Sequence, residues 1–150
     1  MSSYRTSVAV FDVPDQWQDQ SIVAFRLPPA PGGGGDASFV LTKDPGKGST
    51  LFPAYFERQA DTVARALPGY EELKRELFHA NDRDAGWLEF TFSKDGRPVQ
   101  LRQIFFDTGN TAVICTLTAT PADIGFHDVE WRRVMASLVF DKPAMPVSYP

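Results

Sequence analysis

Apolar residues along this chain come in short bursts. No uninterrupted apolar run exceeds four residues, the longest being Val8–Phe11, Ile22–Phe25 and Ala112–Cys115. Their spacing separates strands from helices. Val8–Val13 reads as a first strand, and Pro14-Asp15 as the turn after it. Ser21–Leu27 is a second strand, rich in β-formers. Pro28–Asp36 carries three prolines and the four glycines Gly32–Gly35, which makes it a flexible loop. A third strand, Ala37–Lys43, follows at once, and Asp44–Ser49 turns the chain again.

The period then changes. Thr50–Leu67 is predicted as a helix with the stripe Phe52, Phe56, Val63, Leu67, stopped by Pro68-Gly69. Four strands are expected next: Tyr70–His79, Gly86–Ser93, Pro98–Asp107 and Thr111–Thr120. Asp95-Gly96 and Gly109-Asn110 suit hairpin turns, because these residues accept positive φ. Thr120 is expected to cap a helical turn with Pro121 at its first position and Asp123 reaching back. Asp128 is expected to cap a last helix to about Val139, with Trp131, Val134, Met135 and Leu138 on one face. The tail Pro143–Pro150 is expected to fray. Three strands, a helix, four strands and a helix, joined mostly by hairpins, predict one α+β domain with a core over about residues 8–140. Its twisted antiparallel sheet would have about six to seven strands, with helices packed on it.

Two positions break the pattern. Gln59 lies three residues after Phe56 and four before Val63, inside the helical stripe. Gln103 shares a strand face with Val99, Leu101 and Phe105. A buried amide without a partner costs about 1–3 kcal/mol, so each glutamine needs one. It is either an internal hydrogen bond or a group supplied by a binding partner. Glutamine serves both, since it donates and accepts.

Composition narrows the function. The chain has 150 residues, with 15 Lys and Arg against 19 Asp and Glu, for a net charge of -4. That balance argues against nucleic acid as a partner. Twelve Phe and three Trp make the chain rich in large apolar groups. Yet no stretch approaches the roughly 18 apolar residues of a membrane span. Val8–Val13 is interrupted by Asp12 and too short for a secretory leader, so a cytoplasmic protein is expected. The single cysteine, Cys115, suits a buried strand position rather than a disulfide or a metal site.

Catalytic patterns are missing from the sequence. His79 and His127 lack metal-ligand spacing and read as surface or structural histidines. Gly46-Lys47-Gly48-Ser49 lacks the glycine five residues earlier that a phosphate loop needs. Asn81–Gly86 puts Arg83 and Ala85 where a calcium loop requires oxygens. Asp12, Asp15 and Asp19 read as solvated carboxylates. No catalytic residue, metal ligand or cofactor is therefore expected.

Several strings, taken in order, carry a resemblance. They are Trp17-Gln-Asp-Gln-Ser21, Ala37-Ser-Phe-Val40, Phe52-x-x-Tyr55-x-x-x-Gln59 and Leu67-Pro-Gly69. Leu101-Arg-Gln-Ile-Phe105, Leu117-Thr-x-Thr-Pro-Ala-Asp123 and His127-x-x-x-Trp131-x-x-x-Met135 complete the set. Together, over about Val8 to Val139, the chain resembles the DcrB-related family, and within it the Eag chaperones of bacterial type VI secretion. The resemblance implies a Mog1/PsbP-like fold and a cytoplasmic homodimer. It implies a chaperone that shields the N-terminal transmembrane helices of a PAAR- or Rhs-type effector until loading on the VgrG spike. It assigns Gln59 and Gln103 to hydrogen bonds with those helices, and Ile22, Leu67 and Val99 to the surrounding apolar surface, with Leu101 on the same strand face. Ala24 stands where the family tends to have a bulkier aliphatic residue. A Mog1-like module regulating a different partner, such as a small GTPase, is the alternative on the same fold. A small hydrolase would need a convergent catalytic cluster.

Overall fold

The computed structural model describes residues 1–33 and 35–140. The expected frayed tail 143–150 lies outside the described residues. In chain order the elements are β1 (Ser2–Arg5), β2 (Val10–Val13), β3 (Ile22–Arg26), β4 (Ser38–Asp44), α1 (Phe52–Ala66), β5 (Glu71–Ala80), β6 (Arg83–Lys94), β7 (Arg97–Asp107), β8 (Ala112–Ala119) and α2 (Asp128–Ser137). Strands β3 to β8 form one antiparallel sheet of six in the order β3-β4-β8-β7-β6-β5. The α+β reading and the strand count therefore hold.

The long hairpins exist because their turns tolerate positive φ. Asp95 (φ 53°) and Gly96 (φ 77°) join β6 to β7 as expected. Asn81 (φ 53°) and Asp82 (φ 59°) join β5 to β6 in the same way. The strand thus begins at Arg83, three residues before the expected Gly86. The Asn81 amide also donates to the carbonyls of Met135 (3.1 Å) and Leu138 (2.8 Å), which ties this turn to the end of α2.

Three local expectations are corrected. The first strand is half of a separate hairpin, in which β1 and β2 pair over Ser2↔Val13 to Arg5↔Val10. Ser2–Arg5 has little apolar alternation to reveal it; its turn is organised by Thr6, whose hydroxyl accepts from the amides of Val8 and Ala9. Asp123 makes no capping bond with its side chain; the Thr120 carbonyl accepts from the amides of Asp123 and Ile124 instead. Asp128 does not cap the last helix either. A 3-10 turn, Ile124–His127, runs straight into α2, and the Asp128 carboxylate binds Arg102 (2.7 Å) and Arg132 (2.8 Å).

Two apolar clusters lie on opposite faces of the sheet. On one, Phe52, Tyr55, Phe56 and Ala60 of α1 pack on Leu88, Phe90, Phe105 and Ala112. The close approach depends on Gly86, where a Cβ would stand 2.5 Å from the Phe56 ring. On the other, Trp131 of α2 packs with Ile104, Phe106, Cys115 and Leu117, and with Phe39 and Met135. A buried polar network sits within that second face. Glu89 accepts from Trp87, Gln100 and Arg102, and Arg102 passes on to Asp128. The Arg102 guanidinium also lies 5.1 Å from the Trp87 ring and 5.8 Å from the Trp131 ring.

Gly86→Ala should lever α1 off the sheet and lower stability by about 1–3 kcal/mol in urea unfolding, the usual range for overpacking. A second expectation concerns acid. Hydrogen bonds from Arg132 and then Arg102 hold the Asp128 carboxyl below its ordinary range. A carboxylate whose folded value is depressed stabilises the fold above the unfolded value of about 3.9, and that contribution fades as pH falls through the folded value. Asp128→Asn should therefore flatten the loss of stability below pH ~4, read from unfolding midpoints measured across that range.

Candidate functional site

Register decides which side chains share the α1 face. Ile22 pairs with Thr42, Thr42 with Ile114, and Ile114 with Phe105. The next row is Ala24, Val40, Thr116 and Gln103, and the one after it Arg26, Ser38, Thr118 and Leu101. Cross-strand partners lie on one face, so all of these belong to the α1 side. The buried residues under α1 come from β6, from Phe105 of β7 and from Ala112 at the start of β8. On β3 and β4 no residue of this face is buried; Ile22, at 66% exposure, and Ala24 are open, while Val40 and Thr42 are half-buried.

The expected site residues fall around this open half. Gln59 of α1 and Gln103 of β7 are half-buried, and Gln103 sits in the row that runs to Ala24 of the open edge. Leu67, at the end of α1, and Leu101 pack on the α1 cluster together with Val63 and Ile114. Val99 lies further along β7, where it lines a cavity of about 900 Å³ with Ser38 and Thr118. Ile22 and Ala24 stand at the edge strand. Sequence reasoning did not assign Ser38, Val40, Thr42, Thr116 and Thr118 to this face. The signal was the strict alternation along β4 and β8, and only the pairing shows which phase faces α1.

The two amides are not satisfied internally. The Gln103 Nε2 donates to the Thr116 hydroxyl at 3.4 Å, a long contact. Its Oε1 is buried and has no partner among the described residues. No hydrogen bond of the Gln59 side chain is found among them either. Of the internal hydrogen bonding that the sequence left open, Gln103 has only this contact to Thr116 among the described residues.

The glycine loop acquires a structural reason. A Cβ on Gly35 would stand 2.6 Å from the Thr120 methyl, and one on Gly33 2.7 Å from the Asp123 carboxylate. Gly33 and Gly35 therefore lie directly against the Thr120–Asp123 turn, whereas a Cβ on Gly32 would meet nothing. Both segments, with Lys94, Asp95 and Arg97 of the β6–β7 turn, close the 900 Å³ cavity at that end of the face.

The candidate chemistry elsewhere is dispersed. His79 is exposed, 3.5 Å from Asp84. His127 is buried in an apolar pocket with Leu27, Phe39, Leu117 and Trp131. The residues of Gly46–Ser49 form a turn in which buried Lys47 donates to the Gly109 carbonyl at 2.6 Å. Asp15 binds the N-terminal amine and Ser2. No group of three or more His, Cys, Asp or Glu among the described residues could hold a metal. No helix among them is long and apolar enough to cross a membrane.

Residues 9–137 match the model of the DcrB family. The chain belongs to the DcrB family. Within reach of this assignment is effector EagT6 of Pseudomonas aeruginosa, 38% identical over 93% of this chain and 96% of that protein. The crystal structure of PA94, a Pseudomonas aeruginosa protein of unknown function, superposes with a TM-score of 0.85. It is 36% identical and covers 94% of this chain and 97% of that one. LpqN of Mycobacterium tuberculosis, involved in cell envelope biogenesis, shares the fold at 14% identity and a TM-score of 0.52, over 82% of this chain and 85% of LpqN. The DcrB-related and Eag resemblance read from the strings thus stands.

In this DcrB-family chain Cys115 is fully buried, and burial pushes its thiol up to about 12. Reactive cysteines are thiolates with access to solvent. Cys115 should therefore resist a thiol-specific disulfide reagent at pH 8 in the folded protein. It should react stoichiometrically in denaturant.

Proposed function

We propose that this protein is a non-enzymatic chaperone associated with a type VI secretion effector. In this reading it covers the N-terminal transmembrane helices of a PAAR- or Rhs-type effector in the cytoplasm until the effector reaches the VgrG spike. It acts as a homodimer on a fold of the Mog1/PsbP kind. The observation that carries the proposal is the Gln103 amide, whose oxygen is unpartnered among the described residues, on a half-open sheet face of apolar and hydroxyl-bearing side chains. The likeness to a protein named effector EagT6 supplies the biological setting.

The physics supports such a role. A membrane helix outside the bilayer exposes apolar side chains on all sides. Covering them gains about 25 cal/mol per Å² removed from water. Ile22, Ala24, Val40, Leu67, Val99 and Leu101 offer the matching apolar surface. Small and polar residues, which membrane helices use to pack together, would be costly against a wholly apolar wall. Gln59 and Gln103 offset that cost by hydrogen bonding. Ala24 in place of a bulkier aliphatic makes the edge-strand side of the groove shallower.

Two measurements test this reading. The N-terminal hydrophobic segment of a PAAR- or Rhs-type effector from the same genome, co-expressed with this protein, should become soluble and co-purify with it. A segment equally soluble and abundant without it would overturn the proposal. In the same assay, Gln59→Ala with Gln103→Ala should weaken binding by about tenfold or more, two lost hydrogen bonds of roughly 1 kcal/mol each, with the thermal midpoint of the chaperone little changed.

A further inference from the structure

The cavity of about 900 Å³ at the glycine-loop end of the sheet holds charges that apolar helix packing does not use. Its wall carries three carboxylates, of Asp36, Asp95 and Asp123, against two cations, Lys94 and Arg97. Asp36, Lys94, Asp95 and Arg97 are exposed, and charges in water gain little from pairing. Asp123 differs, being only 8% exposed. Among the described residues its carboxylate has no ion-pair or hydrogen-bond partner, and it does not cap the turn that follows it. Gly33 keeps that carboxylate within reach of the cavity. A Cβ there would stand 2.7 Å from one carboxylate oxygen and 2.8 Å from the other, so a side chain would cover both.

We infer that this cavity receives a lysine or arginine side chain bordering the apolar stretch of the bound helix, and that Asp123 pairs with it. This rests on the proposed helix-binding reading and specifies one end of its ligand. A buried charge is costly until an opposite charge meets it. A metal ion does not fit, because no group of three or more His, Cys, Asp or Glu among the described residues could hold one. The cavity is continuous with the open face. Ser38 and Thr118 of the Arg26 row line both, and Val99 follows Leu101 by two residues on the same side of β7. A membrane helix lying along these strands reaches the cavity where its apolar stretch ends, and that boundary is where membrane helices carry Lys and Arg. The stem of such a side chain can run over Pro98 and Val99 in the cavity wall while its charged end meets the carboxylate. Arginine fits best, since its fork answers both carboxylate oxygens at once.

The test uses synthetic Leu/Ala helices of about 20 residues, the length of a membrane span, held in mild detergent. Both flanks carry either arginine or citrulline, which keeps the shape of arginine and loses its charge. The wild-type protein should bind the arginine-flanked peptide about tenfold more tightly, the fold-change of one charge-assisted hydrogen bond. Asp123→Asn should bring that ratio close to one while still binding both peptides. Asp82→Asn removes the same charge from the β5–β6 turn and should leave the ratio unchanged. Without peptide, the thermal midpoint of Asp123→Asn should equal or exceed that of the wild type, because an unpaired buried charge has been removed. A wild-type ratio near one, a ratio that survives Asp123→Asn, or an equal loss in Asp82→Asn overturns the inference and leaves the helix-binding groove standing. A lowered midpoint or failed folding of Asp123→Asn does the same, since the fold itself would then be using the carboxylate. Failure of both peptides to bind the wild-type protein overturns the inference and the groove together.

Discussion

A single short helix covers one face of a wide sheet, and most of what distinguishes this protein follows from that shortfall. Helix α1 has 15 residues, so it is about 22 Å long and about 10 Å across. Strands stand about 4.8 Å apart, so a sheet of six is about 24 Å wide. One helix laid along it shields two or three strands. Phe52, Tyr55 and Phe56 commit α1 to the β6–β7 side, and Gly86 lets Phe56 come down onto the strand. The β3–β4–β8 side is left with Ile22, Ala24, Val40 and their hydroxyl-bearing neighbours facing outward.

Buried polarity is handled differently at Glu89 and at Gln103. Beneath α2, Glu89 and Arg102 are each nine-tenths buried, and every contact is answered: Trp87, Gln100, Arg102 and Asp128 complete the set. Such a network is worth having only when complete, and here it fixes α2 to the sheet. On the α1 face the Gln103 amide has one long contact and one unpaired atom. A donor arriving with a ligand would pair that oxygen, and the proposed helix is a ligand of that kind.

Much of this was legible in the chain. Alternation located seven of the eight strands, and the 3.6-residue stripe located α1, because period is set locally by which side of an element meets the core. Pro68-Gly69 and Asp95-Gly96 marked their turns through φ alone. The polar strand Ser2–Arg5 escaped, since pairing with β2 rather than burial creates it. Asn81-Asp82 was left between two strands without a turn assignment, and both residues adopt the positive φ of a tight hairpin. Asp128 was misread because capping is a local rule, and Arg102, distant in sequence, took its carboxylate.

For the site, the chain alone announced that Gln59 and Gln103 interrupt apolar patterns, since each pattern is periodic and a polar residue in phase with it is visible without coordinates. It also carried the DcrB-family strings. It had no means of saying that the two elements bearing these glutamines border one open face, or that Ile22 and Ala24 lie across β4 and β8 from them. Strand order and register depend on pairings between residues far apart in sequence, β4 with β8 above all. The unpaired oxygen of Gln103 could be recognised only after those pairings had placed Thr116 beside its amide nitrogen and, among the described residues, no hydrogen-bond donor at its oxygen.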